Sequence, residues 1–273
     1  DLRVRRLSSA SPRHEVSEVR YRTLGGLDLG AWLVLPRGRP VKMGAVMGHG
    51  YGGRDAVEYP QRDAAFLFTC APGFSLSAAP GLPNTAGRHV VHGLQHRDTY
   101  LIRHCVAALW TGARVLAELV PETRERMIYM GDSFGGGTGA LALPWEPLFR
   151  KAYLAVPTFG HQPLRLTLAC EGSGEFVRHH VRRHPEAVEV LRYFDAATAA
   201  TRIRIPVLGV PALFDPAVPP PGQFAVINAL AGPKEVFELS AGHFTVPESD
   251  AEYRDLNRLT ERFLWMEAPL WTT

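Results

Sequence analysis

The chain is short of lysine, short of cysteine and without a long apolar run, and each shortage excludes a class of protein. Lys42, Lys151 and Lys234 are the only lysines among 273 residues. The positive charge comes mostly from arginine, interspersed with acids, and the net is only +3. There is no clustered basic stripe of the kind that tracks a nucleic acid. Cys70, Cys105 and Cys170 are an odd number at wide spacing with no C-x-x-C pair. That suggests neither a disulfide framework nor a zinc site, and the three are expected to be buried as small apolar residues. No run approaches the roughly 18 apolar residues that cross a bilayer, and "DLRVRRLSS" leads into no apolar signal region. A cytoplasmic protein is the expectation. A removed leader stays open, because the chain begins without Met.

What is present is a chain with 46% hydrophobic content, enough to bury a sizeable core and short enough to be one α/β domain. Strand-like and helix-like stretches alternate from Ala31 onward. "AWLVLP" (Ala31 to Pro36), "GAVMGHG" (Gly44 to Gly50) and "AFLFTCA" (Ala65 to Ala71) are short apolar runs ended by Pro or Gly, the pattern of strands buried on both faces. Between Arg97 and Leu119, Tyr100, Val106, Leu109, Trp110, Ala113, Leu116 and Ala117 keep near-helical spacing, and Pro121 lies beyond the end, which predicts a helix. "RMIYMG" (Arg126 to Gly131) reads as a strand and "FGGGTGALAL" (Phe134 to Leu143) as a helix start. "KAYLAVP" (Lys151 to Pro157), "IPVLGVPALF" (Ile205 to Phe214) and "EVFELS" (Glu235 to Ser240) supply further strands, and Ser249 to Trp265 an amphipathic helix. This order predicts an α/β fold with a mostly parallel central sheet and helices on both faces, in a single domain over residues 1–273. A helical insertion is expected at about 159–200, and Ala71 to Gly93 reads as a long loop of the sort that often carries function.

Gly131, Ser133 and Gly135 in "YMGDSFGGGTG" satisfy G-x-S-x-G between an apolar strand and a helix. That is the setting of a nucleophile elbow, in which the serine occupies a strained turn and small neighbours avoid clashes as the strand reverses into the helix. Glycines can also cradle a phosphate, but the P-loop requires Gly-Lys-Ser/Thr and no lysine is near. A dinucleotide fingerprint belongs at the first strand, and this motif is mid-chain. On the motif alone, a glycine-rich helix start with a surface serine is an even rival.

A serine elbow works only with a base and an orienting acid, in the order Ser, Asp or Glu, His. Asp215 lies in "VPALFDPAVPPP", just past an apolar strand, and His243 in "ELSAGHFTV", after the next one. Both fall at strand exits on the edge that bears Ser133, where parallel sheets build their sites. An Asp before Pro is often a turn former, and a His after Gly can cap a loop. Three candidates in this order outweigh those readings. Asp132 reads as a turn residue and Asp195, in "RYFDAAT", as a helix end. His179, His180 and His184 lie among arginines that would oppose a cation, so that stretch reads as a solvated helix face.

Acyl transfer also needs donors for the developing oxyanion. The N–H of Phe134, next after the nucleophile, is one, and the N–H of Tyr51, in the loop "GHGYGG" (Gly48 to Gly53), is the other. The Tyr51 ring either lines the pocket or packs, and His49 reads as a structural residue of the loop.

With those residues in place the chain resembles carbohydrate esterase family seven, the acetyl xylan esterases and cephalosporin C deacetylases of the α/β-hydrolase superfamily. "HGLQHRDTYLIRHCVAAL", "RERMIYMGDSFGGG", "EVLRYFDAATAATRIRIPVLGVPALFDPAVPPPGQFAVINAL" and "FELSAGH" carry the likeness, which extends over most of the chain from about the first strand. The resemblance implies Ser133 as nucleophile, His243 as base, Asp215 as acid, and Tyr51 with Phe134 as the oxyanion pair. It further implies deacetylation of small or sugar-borne acetyl esters without a metal or other cofactor, and assembly into homo-oligomers. The family usually has Arg-Gly-Gln where this chain has Pro72, Gly73 and Phe74, Gln where it has Phe134, and Glu where it has Phe244. A more apolar pocket is therefore expected, with Tyr51, Phe74 and Phe244 touching substrate and a different acyl or alcohol preference open.

The expectation is a serine esterase acting on a small-molecule ester, with neither nucleic acid nor membrane as partner. A peptidase or lactonase with the same triad is the nearest rival, but no amine-recognising carboxylate or added propeller domain stands in the sequence. A catalytically silent hydrolase fold used for binding is the rival of another class. It usually loses a triad member, and here all three candidates are present.

Overall fold

The structure, a computed structural model, describes residues 2–266. Two strands precede the first apolar run. β1 (Arg3–Leu7) is mostly exposed, while β2 (His14–Arg22) buries Val16, Val19 and Tyr21. The alternation read from Ala31 onward does not reach them. β1 is an arginine-rich edge strand held by ion pairs of Arg3 with Asp28, Arg5 with Glu18 and Arg6 with Glu15, and it has no apolar face to signal it.

β3 (Asp28–Pro36), β4 (Met43–Met47) and β5 (Ala64–Thr69) are the three apolar runs, with the side chains of β5 buried on both faces. The expected long loop then follows, interrupted by a 3-10 turn over Ser75–Ser77 and the single turn of α1 (Ala86–His89). α2 (Leu101–Leu119) buries Leu101, Ile102, Cys105, Leu109, Ala113 and Leu116, a stripe at i, i+3 and i+4 spacing. It stops at Val120, because Pro121 cannot continue it. β6 (Met127–Asp132), α3 (Phe134–Ala142) and β7 (Phe149–Ala155) come next. The stretch 159–200 carries α4 (Gln162–Arg165), α5 (Ser173–Arg183), α6 (Ala187–Leu191) and α7 (Ala196–Ala200).

The apolar runs read as single strands at Ile205 to Phe214 and Glu235 to Ser240 are each divided. β8 (Val207–Val210) gives way to β9 (Ala212–Phe214) at Pro211, which has no N–H to donate to a ladder. After α8 (Pro220–Ala229), β10 (Lys234–Val236) and β11 (Leu239–Ala241) divide in the same way, and α9 (Ser249–Thr260) leads into a π turn over Glu261–Trp265. Among the described residues, nine strands form one sheet in the order β1-β2-β3-β5-β4-β6-β7-β8-β10, and β9 pairs with β11 in a separate two-stranded sheet. The first three pairings of the large sheet are antiparallel and the other five parallel.

Helices cover both faces. On one, Leu109 and Leu116 of α2, with α3, α7 and Ile227 of α8, pack on Val46, Leu67 and Tyr129. On the other, Trp32, Phe66 and Phe68 meet Leu264 of the π turn, and Leu208 and Val210 meet Leu256 of α9. β4 has β5 on one side and β6 on the other, so the chain departs in opposite directions from neighbouring strands there. Such a reversal opens a crevice at the carboxyl ends of the strands, and the loops after β4 and β6 are the two that carry Tyr51 and Ser133.

Candidate active site

Ser133 sits between the last residue of β6 and the first of α3 at φ 52°, ψ −112°, a backbone conformation that L-residues rarely adopt. The turn is held from outside: Ser133 N–H donates to the carbonyl of Ala155 (2.9 Å), and its own carbonyl accepts from Gly137 (2.9 Å) and Thr158 (3.2 Å). Two of the glycines are required by close approach. A Cβ on Gly131 would stand 2.6 Å from the carbonyl carbon of Gly135, and one on Gly135 would stand 3.0 Å from His49 N and 3.1 Å from His49 O. The first α3 turn therefore lies directly against the loop after β4.

Asp215 follows β9 and His243 follows β11, so the small side sheet, and not the main one, brings them to Ser133. His243 Nδ1 lies 2.7 Å from Asp215 Oδ2, and His243 Nε2 lies 2.8 Å from Ser133 Oγ. With Nδ1–H donating to the carboxylate, Nε2 keeps its lone pair for the serine hydroxyl proton. The second carboxylate oxygen of Asp215 accepts from the amides of Ala217 (2.9 Å) and Val218 (3.0 Å). Gln223 Nε2 also donates to Oδ2 at 2.9 Å, while its Oε1 accepts from Ala212 N–H at 2.8 Å. Gln223 escaped the sequence reading. Its only signal is that it is a polar residue in the apolar stretch "PPGQFAVINA", and it is fully buried.

The loop after β4 is pegged by His49, whose Nε2 accepts from Ala71 N–H (2.9 Å) and whose Nδ1 donates to the carbonyl of Gly50 (2.7 Å). That pair of bonds requires the neutral imidazole, and burial lowers the His49 pKa in the same direction. Asp132 lies outside the Ser133–His243–Asp215 chain, and Asp195 caps helices instead, accepting from Thr198 N–H (2.8 Å) and Gln162 N–H (2.5 Å).

The aromatic residues are placed differently from the expectation of a pocket lining. The Tyr51 and Phe134 rings stack on each other at 4.3 Å, and Phe74 packs on His89 at 5.0 Å and on His49 at 5.4 Å. Phe74 and Phe134 are buried, and the Tyr51 hydroxyl is buried without a partner. These side chains form an inward-facing cluster beneath the backbone of Tyr51 and Phe134, because a ring on a loop over a sheet gains more by burial than by exposure. Phe244 alone of the expected lining residues is exposed, at 38%. Phe214, unremarked in the sequence and 60% exposed, meets it edge to face at 5.4 Å.

A mostly parallel sheet with helices on both faces, and a serine, an aspartate and a histidine hydrogen-bonded just past β6, β9 and β11, define an α/β-hydrolase. Within that class the chain belongs to the acetyl xylan esterase (AXE1) family, whose family model matches residues 1–243. Among solved structures it resembles the acetyl xylan esterase of a Paenibacillus species, with TM-score 0.82 and 22% identity over 96% of this chain and 89% of that one. It also resembles acetyl xylan esterase 1 of a Thermoanaerobacterium species, with TM-score 0.81 and 21% identity over 97% and 88%. An acetyl esterase of Xylanibacter ruminicola is 25% identical over 147 residues, which are 54% of this chain; the chain spans only 34% of that relative's length.

Proposed function

We propose that the protein is a serine carboxylesterase that removes acetyl or other short acyl groups from small-molecule esters, acetylated carbohydrates among them. The observation that carries this reading is the unbroken chain from Ser133 Oγ to His243 Nε2 at 2.8 Å and from His243 Nδ1 to Asp215 Oδ2 at 2.7 Å. In the reaction His243 takes the proton of Ser133 as Oγ attacks the ester carbonyl. The oxyanion is met by the amides of Phe134 and Tyr51, and His243 returns the proton to the departing alcohol. Water, deprotonated by the same nitrogen, then releases the acid from the acyl-enzyme. Family membership supports the acetyl group. The burial of Phe74, of Phe134 and of the Tyr51 hydroxyl leaves Phe244, with Phe214 beside it, as the most exposed aromatic contact for substrate. One domain with the 159–200 helices inserted, assembled as a homo-oligomer, is part of the same reading.

Hydrolysis of p-nitrophenyl acetate, butyrate and octanoate, and of an acetylated xylose, by the wild type and by Ser133→Ala tests it. Acetate turnover is expected to exceed octanoate turnover and to fall by about 10⁶ in kcat in the variant. If no ester shows Ser133-dependent turnover, the protein is a silent member of the family.

A further inference from the structure

His89, the last residue of α1, is fully buried, and one of its two ring nitrogens has no partner. Nε2 lies 3.0 Å from the carbonyl of Pro72, so it carries the ring proton and donates it there. Burial pushes the pKa down to about 4 and keeps the imidazole neutral. Nδ1 is therefore a bare lone pair, an acceptor sealed from water without a donor. The Tyr51 hydroxyl is the complementary case, a buried donor without an acceptor. The two rings meet edge to face with centroids 5.5 Å apart. Buried polar groups are nearly always paired, and here an unmet donor and an unmet acceptor stand on neighbouring side chains.

His89 also packs against both residues whose amides the esterase reading assigns to the oxyanion, Tyr51 and Phe134, each at 5.5 Å. Its own ring is held, by Pro72 at Nε2 and by Phe74 at 5.0 Å. Tyr51 has more room, because a Cβ added at either of its neighbours, Gly50 or Gly52, would meet nothing within 4 Å. The other polar side chains in electrostatic range of the Tyr51 hydroxyl are Tyr100, Cys105 and Arg165. Tyr100 spends its proton on the Val90 carbonyl at 2.8 Å. A guanidinium accepts nothing, and a thiol accepts weakly.

We propose that His89 is a positioning residue of the oxyanion hole, acting through Tyr51: as the Tyr51 amide takes up the oxyanion, the Tyr51 hydroxyl moves onto His89 Nδ1, and the hydrogen bond so formed holds the amide in place. The two groups are not bonded in the structure. A contact made only with the transition state raises kcat and leaves KM little changed. The inference rests on the serine esterase reading.

The test is the kinetics of p-nitrophenyl acetate hydrolysis by the wild type, Tyr51→Phe, His89→Phe and the double variant, beside urea melts, with Ser133→Ala as the control. Tyr51→Phe deletes only an unpartnered hydroxyl, so it is expected to be at least as stable as the wild type and yet to lose about tenfold in kcat. His89→Phe is expected to lose about as much, again with KM little changed. The double variant is expected to be no slower than either single one, because both remove the same bond. His89→Gln, whose amide can donate to Pro72 and accept from Tyr51, is expected to recover most of the loss. In crystals treated with diethyl p-nitrophenyl phosphate, Ser133 Oγ displaces p-nitrophenolate and a phosphoryl oxygen takes the oxyanion position; Tyr51 Oη should then stand roughly 2.8 Å from His89 Nδ1. Should His89→Phe not fold, Tyr51→Phe and these crystals decide. Unchanged kcat in Tyr51→Phe, losses that multiply in the double variant, or rings still unbonded in the phosphorylated protein would overturn the proposal and leave the esterase reading intact. Absence of Ser133-dependent turnover would overturn both.

Discussion

Asp215 is 4% exposed and accepts four hydrogen bonds, from Ala217, Val218, Gln223 and His243. A buried carboxylate stays charged only when its lone pairs are met in this way. Asp215→Asn offers an amide in place of one oxygen and favours the wrong His243 tautomer, so kcat is expected to fall by about 10⁴ with KM little changed. Gln223→Leu removes one donor from Oδ2 and leaves unmet both Ala212 N–H and the Val218 carbonyl, which accepts from Gln223 Nε2 at 2.6 Å. A loss of about tenfold in kcat is expected, together with ~1–3 kcal/mol of stability. Steady-state kinetics beside a denaturant melt separates the two effects: a loss of stability with kcat unmoved would make Gln223 a structural residue only.

At the scale of elements, the site depends on how closely α3 approaches the loop after β4. Gly135→Ala puts a methyl 3.0 Å from His49 N and 3.1 Å from His49 O, and backbone atoms can give way only by moving the loop. Overpacking of this kind costs ~1–3 kcal/mol. The greater effect is expected on catalysis, because the Tyr51 amide rides on the displaced loop. A fall of about 10²-fold in kcat for p-nitrophenyl acetate, with a smaller change in KM, is the expected outcome. Wild-type kcat in this variant would show that the loop supplies no oxyanion donor. The break at Pro211 is the second such device. It takes β9 out of the main sheet and into pairing with β11, so Asp215 and His243 emerge side by side.

For the molecule as a whole, buried neutral histidines tie stability to pH. His89 is fully buried and burial depresses its pKa from 6.5 to about 4, while His49 is lowered for the same reason. The unfolded chain then binds more protons than the folded one between those two values. Stability is complete above pH 6.5 and is lost as the pH falls toward 4, with no further loss from His89 below that. The gap between 6.5 and about 4 for His89 corresponds to about 3 kcal/mol. His89→Gln cannot titrate, so its urea midpoint is expected to change less between pH 7 and pH 4 than that of the wild type. An equally steep decline in both proteins would place the acid sensitivity in other groups.

The α/β class, most of the strands and α2 follow from local sequence, because apolar runs, their spacing and the prolines that end them act over a few residues. The order Ser133, Asp215, His243 is likewise readable, since each lies just past a run of apolar residues. Tertiary structure alone decided the rest. β1 carries no apolar signal, and its ladder with β2 and its arginine ion pairs form only in the folded chain. The split at Pro211 depends on β11 being available to pair with β9. The rings of Tyr51, Phe74 and Phe134 turned inward because a cluster assembled from three separate segments buries them together. Gln223 and His89 took their positions for the same reason: a buried polar group is defined by neighbours that only the folded chain brings within reach.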